Sequence, residues 1–90
     1  MIKHYNIKII GQVQGVSFRH WAKIKALQLG IKGFIKNLED GSLYLEAEGQ
    51  ENQLENFLVW CKQGPPLAEI EKIEVEEREI KDYNNFSINY

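Results

Sequence analysis

Cysteine occurs once in this 90-residue chain, at Cys61. A single cysteine excludes an intrachain disulfide and a cysteine-built zinc site. Histidine is nearly as scarce, and His4 and His20 lack metal-ligand spacing. Basic charge is not in excess: the formal net charge is −2. That argues against a general nucleic-acid binder, which is usually basic, but leaves room for an anion site, because a site is a local field. The opening residues Met1-Ile2-Lys3-His4-Tyr5 hold no long apolar run. Neither a signal peptide nor a membrane span is expected, and the expected location is the cytoplasm. Repeats, low-complexity tracts and linkers are also missing. A chain of this size buries roughly 60–65% of its unfolded surface and builds one modest core, so residues 1–90 are expected to form one domain.

Hydrophobic periodicity then sets out the elements. Tyr5, Ile7 and Ile9 alternate with Asn6 and Lys8, which predicts a first strand over about His4–Ile10. Gly11 to Gly15 break it. A helix is expected from Ser17 or Phe18 to Leu29, with Phe18, Trp21, Ala22, Ala26 and Leu29 near helical spacing and Gly30 as the stop. A second strand over about Lys32–Leu38 leads into the turn Glu39-Asp40-Gly41-Ser42, whose Asp-Gly pair marks a hairpin. In the third strand, about Ser42–Glu48, Leu43, Leu45 and Ala47 should face the core and Tyr44, Glu46 and Glu48 should face outward. Leu54, Phe57, Leu58 and Cys61 give one buried stripe on a helix over about Asn52–Lys62, ended by Gly64-Pro65-Pro66. A fourth strand covers about Ile70–Arg78, and Phe86–Tyr90 reads as a short tail strand. The order βαββαβ packs most compactly as an α+β, ferredoxin-like split βαβ sandwich, an antiparallel sheet with two helices on one face.

The stretch richest in chemistry is Gly11-Gln12-Val13-Gln14-Gly15-Val16-Ser17-Phe18-Arg19, between the first strand and the first helix. Gly11 and Gly15 permit a curl with positive φ, which can point successive N–H groups inward as an anion nest. The helix that follows adds free first-turn N–H groups and its positive dipole end. Arg19 stands at the mouth, and its planar guanidinium can bond two phosphate oxygens together. A plain connecting turn with Arg19 on a solvated helix face would show the same local pattern. In the split βαβ arrangement, however, the first and second strands run parallel with the third between them. Their C-terminal ends then share one sheet edge, about 9–10 Å apart, so Arg19 and Asn37 can face one site. Outside that topology Asn37 is simply a turn residue.

Taken together, these motifs have a family look. Gly11-x-Val13-Gln14-Gly15-Val16-x-Phe18-Arg19, then Gly33-Phe34-x-Lys36-Asn37-x-x-x-Gly41, Gly49 and Gly64-Pro65-Pro66-x-Ala68, resemble the acylphosphatase family over essentially the whole chain. Ile35 and Leu43 are larger than that family's usual residues, a departure that touches packing. The resemblance implies a ferredoxin-like fold and hydrolysis of carboxyl-phosphate anhydrides. It implies a phosphate site made by Arg19 and the backbone of Gln14, Gly15, Val16, Ser17, Phe18 and Arg19, with Asn37 positioning water. The small acyl phosphate is then the substrate, inorganic phosphate or sulfate a product-like ligand, and no metal, cofactor, nucleic acid or membrane is called for. A monomer is expected.

Other residues offer less. His20 is next to Arg19, but consecutive helix residues point about 100° apart, so it reads as a surface histidine. His4 has no partner in view, Cys61 belongs to the apolar stripe, and Glu39-Asp40 read as turn chemistry. Glu74-Val75-Glu76-Glu77-Arg78-Glu79 is a solvated strand face. Trp21 and Trp60 read as packing residues. Three other functions fit the chain less well. One is a specialised hydrolase like the acylphosphatase-like domain of hydrogenase-maturation proteins, which act on carbamoyl phosphate. The others are a non-catalytic anion-binding module and an RNA-binding ferredoxin-like domain. The last needs exposed aromatic and basic residues on the central strands, where this sequence places Tyr44, Glu46 and Glu48.

Overall fold

The computed structural model describes residues Met1–Tyr90. Its elements are β1 (Ile2–Gln12), α1 (Phe18–Leu29), β2 (Lys32–Asn37), β3 (Leu43–Gln50), α2 (Glu51–Gln63), β4 (Glu69–Arg78) and β5 (Phe86–Asn89). The five strands form one sheet in the order β4-β1-β3-β2-β5. β3 pairs antiparallel with both β1 and β2, so β1 and β2 run parallel and end on the same edge. This is the ferredoxin-like α+β arrangement expected from the pattern. The tail strand adds one departure from a purely antiparallel sheet, since β5 joins β2 in parallel. No helix is long and apolar enough to cross a membrane.

One face of the sheet carries both helices. Ile7 and Ile9 of β1, Ile35 of β2 and Leu43, Leu45 and Ala47 of β3 meet Phe18, Ala22 and Ala26 of α1 and Leu54, Phe57 and Cys61 of α2 in one buried cluster. Each fully buried aliphatic or aromatic side chain contributes about 1.5–3 kcal/mol. The α1 stripe is narrower than expected: Trp21 is exposed, leaving Phe18, Ala22 and Ala26 buried. The small alanines let the helix approach the sheet closely, and the indole falls outside that contact.

The opposite face corrects the reading of β3. Glu46 and Glu48 do point away from the helices, yet both are buried. The cause is the connection between the sheet's two outer strands. β4 and β5 lie on opposite edges, about 19 Å apart at four strand spacings, so residues 79–85 must cross over this face. Glu48 accepts hydrogen bonds from the backbone N–H groups of Lys81 and Tyr83, and from His4 Nδ1 at 2.7 Å. Glu46 accepts from the hydroxyls of Tyr44 and Tyr83, both at 2.7 Å, and from Lys81 Nζ at 2.9 Å. His4, which had no visible partner in the sequence, is fully buried, and its Nε2 lies 2.8 Å from Asn6 Oδ1. Burial alone would raise the Glu46 carboxyl; the hydrogen bonds from Lys81, Tyr83 and Tyr44 outweigh it and hold the group at about 2. Burial and the neighbouring Glu46 push the Tyr44 phenol up to about 12.

Gly11 also has a different role from the one its place before the loop implied. It lies inside β1 at φ 145°, where the β1–β4 register shifts. A Cβ there would stand 2.1 Å from Glu69 O, so the residue serves a bulge and a close strand approach.

Candidate active site

Residues 13–17 make the whole connection between β1 and α1. Apolar side chains pin it from below: Val13 and Phe18 are buried and Val16 packs against the core. Gly15 at φ 74° and Ser17 at φ 62° are both left-handed, and that curl turns successive amides toward a common point. The N–H groups of Gln14, Gly15, Val16 and Ser17 donate no backbone hydrogen bond within the protein. The first-turn N–H groups of α1 lack intrahelical partners by geometry; the Trp21 N–H is the first to find one, at Ser17 O. α1 has neither an acidic residue in its first turn nor a side-chain cap, so its positive end is uncompensated.

Arg19 and Asn37 line one cleft of about 350 Å³ at this edge, along with Gln14, Gly15, Ser17 and Phe18. The parallel β1 and β2 bring them there, as the topology argument required. No aspartate or glutamate lines the cleft. Arg19 has no carboxylate partner; its guanidinium lies over the ring of Tyr90, 4.9 Å from the centroid. The arrangement can receive an anion through backbone donors and a two-pronged cation, beside a free amide from Asn37.

Two of the expected phosphate-loop residues are differently employed at their side chains. Gln14 Nε2 donates to Leu38 O at 2.8 Å and Ser42 O at 2.9 Å. That side chain braces the loop against the β2–β3 hairpin and leaves only its backbone to an anion. Val16 is not among the residues lining the cleft, because its side chain turns to the core. The hairpin is itself fixed. Asp40 accepts from the Ser42 hydroxyl and N–H and lies 3.1 Å from Lys8 Nζ. The Ser42 hydroxyl first, then the Ser42 N–H and Lys8, hold its carboxyl at about 2. Glu39-Asp40 are thus turn residues, as expected.

His20, Ile88 and Tyr90 also line the cleft, and the sequence reading had assigned none of them to it. His20 is exposed, as a surface histidine should be, and stands at the rim of the cleft. Tyr90 reaches the cleft through the pairing of β5 with β2, which the sequence pattern does not show. A tail strand parallel to β2 delivers its last residues to the edge that holds Asn37. Cys61 is fully buried, and burial pushes its thiol far up.

Comparison with known proteins agrees with this geometry. The acylphosphatase family model matches residues 5–88. An acylphosphatase of Archaeoglobus fulgidus is 46% identical over 84 residues, covering 93% of this chain and 94% of that protein. The crystal structure of acylphosphatase from Bacillus subtilis superposes with a TM-score of 0.95 at 37% identity, covering all of both chains. A full-length HypF in its phosphate- and nucleotide-bound form superposes with a TM-score of 0.90 at 35% identity, covering all of this chain and 12% of that one.

Proposed function

The chain belongs to the acylphosphatase family, and from that premise we propose that Arg19 and the backbone donors of Gln14–Arg19 hold the phosphoryl group while Asn37 aims the attacking water. The enzyme is a hydrolase, and acyl phosphates are its substrate class. The observation that carries the assignment is the cleft itself. Unpaired amides, an unneutralised arginine and a free amide side chain converge where no aspartate or glutamate lines the wall.

The chemistry asks for little more. A new bond forms from water oxygen to phosphorus as the phosphorus–acyl oxygen bond breaks. The electron pair leaves with the carboxylate, and both water protons end on product phosphate. A carboxylate leaving group has a conjugate acid of pKa about 4, so no general acid has to protonate it. Phosphoryl transfer then depends on positioning and on charge stabilisation. Arg19 and the loop amides stabilise the phosphoryl oxygens, which is why the site needs no metal. Asn37 offers an oxygen to a water proton and carries no charge that would repel the dianion. The same reading has the enzyme act in the cytoplasm as a monomer, with Arg19 and Asn37 completing one cleft between them.

Hydrolysis of benzoyl phosphate by variants tests the assignment. Asn37→Ala should lose kcat with little change in phosphate Ki, because an orienting group acts mainly in the transition state. Asn37→Asp should be as inactive and bind phosphate more weakly. Arg19→Lys keeps the charge and loses the fork, at a cost of at least ~2 kcal/mol in transition-state stabilisation. An active Asn37→Asp enzyme would reject the orienting role.

A further inference from the structure

We propose that the Ser17 hydroxyl is a binding group of the cleft, a side-chain donor to the phosphoryl oxygens beyond the loop's amides; the proposal rests on the reading of the cleft given above. Ser17 carries two costs that its place in the fold does not offset. It is the N-cap of α1, a position where serine ordinarily turns its hydroxyl back to accept an N–H of the first turn. Here the side chain makes no such bond. The residue also stands at φ 62° and ψ 22°, a left-handed conformation that strains any residue with a Cβ. The curl of the loop calls for that backbone, but glycine takes it freely, as Gly15 does at φ 74°. Strain of this kind collects at functional sites.

One partner accounts for both costs. A capping serine would accept from the N–H of Arg19 or His20, the second and third residues of α1. That would withdraw a donor from an incoming anion. The left-handed turn keeps those N–H groups open and leaves the hydroxyl free of the helix. Its neighbours hold it there. Val16 packs against the core and Phe18 is buried, while Ser17 between them is exposed and lines the cleft. The rest of the loop offers no such group: Gln14 Nε2 is bound to Leu38 O and Ser42 O, and Gly15 has no side chain. A serine hydroxyl has one proton to donate, and an anionic acceptor makes the stronger bond with it. No aspartate or glutamate lines the cleft to compete for that proton. The bond falls on the phosphoryl end, so it acts alike on substrate, phosphate and sulfate, whatever acyl group the substrate carries.

The test compares Ser17→Ala, Ser17→Gly and Arg19→Ala with the parent, by phosphate and sulfate Ki, kcat and KM for acetyl phosphate, and thermal melting. Alanine removes the hydroxyl and keeps the stiff backbone; glycine removes the hydroxyl and relieves the strain. Loss of a hydrogen bond to a charged group, at an exposed site where water partly replaces it, predicts that both variants raise phosphate and sulfate Ki about three- to ten-fold. KM for acetyl phosphate should rise by a similar factor with kcat nearly intact, because the bond is made in the ground state and the transition state alike. Ser17→Gly should melt no lower than the parent, as befits a residue kept for its ligand at the expense of the fold. Parent-like Ki in both serine variants, with phosphate binding abolished in Arg19→Ala, would overturn the proposal and leave the assignment of Arg19 standing. A raised Ki in only one serine variant would trace to the backbone and overturn it too. Unchanged phosphate binding in Arg19→Ala would overturn both readings.

Discussion

Replacing Gln14 by methionine separates two roles that its position in the loop allows. The thioether keeps the length and volume of the side chain and removes both donors. Two hydrogen bonds are lost, to Leu38 O at 2.8 Å and to Ser42 O at 2.9 Å. A neutral hydrogen bond contributes about 0.5–1.5 kcal/mol net. Each carbonyl keeps a backbone donor in the hairpin, Gly41 N–H on Leu38 O and Leu38 N–H on Ser42 O, so neither is left unpaired, and the expected loss of stability is about 1–2 kcal/mol. The effect on catalysis should exceed that. Gln14 ties the loop that carries the anion donors to the hairpin that follows Asn37, so the brace sets the distance between phosphate and water. Small misplacement of reacting groups costs up to about 100-fold in rate, and a kcat loss of about ten-fold or more is expected. Gln14→Glu should be worse on both measures, because an unprotonated carboxylate cannot donate and faces two carbonyl oxygens. Urea unfolding gives the stability change, and benzoyl phosphate turnover with phosphate Ki gives the rest. Unchanged urea midpoint with weakened phosphate binding would refute the brace and put the Gln14 amide on the ligand.

Two further outcomes are expected. Glu46 is buried and its carboxyl is held at about 2 against a usual 4.5. Between those values the unfolded chain binds more protons than the native protein, so the stabilisation, on the order of 2–3 kcal/mol, is complete above about pH 4.5 and is lost as pH falls through about 2. Glu46→Gln should therefore lower the urea midpoint clearly at pH 7 and much less at pH 3; equal losses at both would show that charge is irrelevant there. Cys61→Ala should remain an active enzyme with stability lowered by ~1–2 kcal/mol, the cost of emptying a small core position. A folded Cys61→Ala protein without activity would implicate a thiol intermediate.

What the sequence revealed was decided by short-range pattern. Alternation in Tyr5–Ile9 and Leu43–Ala47 located strands, and the stripe Leu54–Cys61 located α2, because those faces pack directly on one core. The pairing of Arg19 with Asn37 was legible because topology alone brings two parallel strand ends together. What was hidden depends on partners far along the chain. Glu46 and Glu48 alternate like solvated residues, and only the crossing of residues 79–85 buries them beside His4. Gln14 carries no mark of its brace, since its acceptors are backbone carbonyls at Leu38 and Ser42. Tyr90 was missed for the same reason: the partner strand of β5 cannot be read from β5.

The sheet ends at β4, a ten-residue strand whose outer edge is unpaired. Such an edge is a template on which a second molecule could add a strand. Here Glu69, Glu71, Glu74, Glu76 and Glu77 are exposed along it and outnumber Lys72 and Arg78, so two copies brought edge to edge would set a net excess of like charge against each other. This repulsion is a barrier to self-association made of charge alone. It therefore has the range of the ionic atmosphere, about 8 Å at physiological salt and about 3 Å at 1 M. Concentrated salt should therefore lower this fence while the buried core of the fold stays as it is.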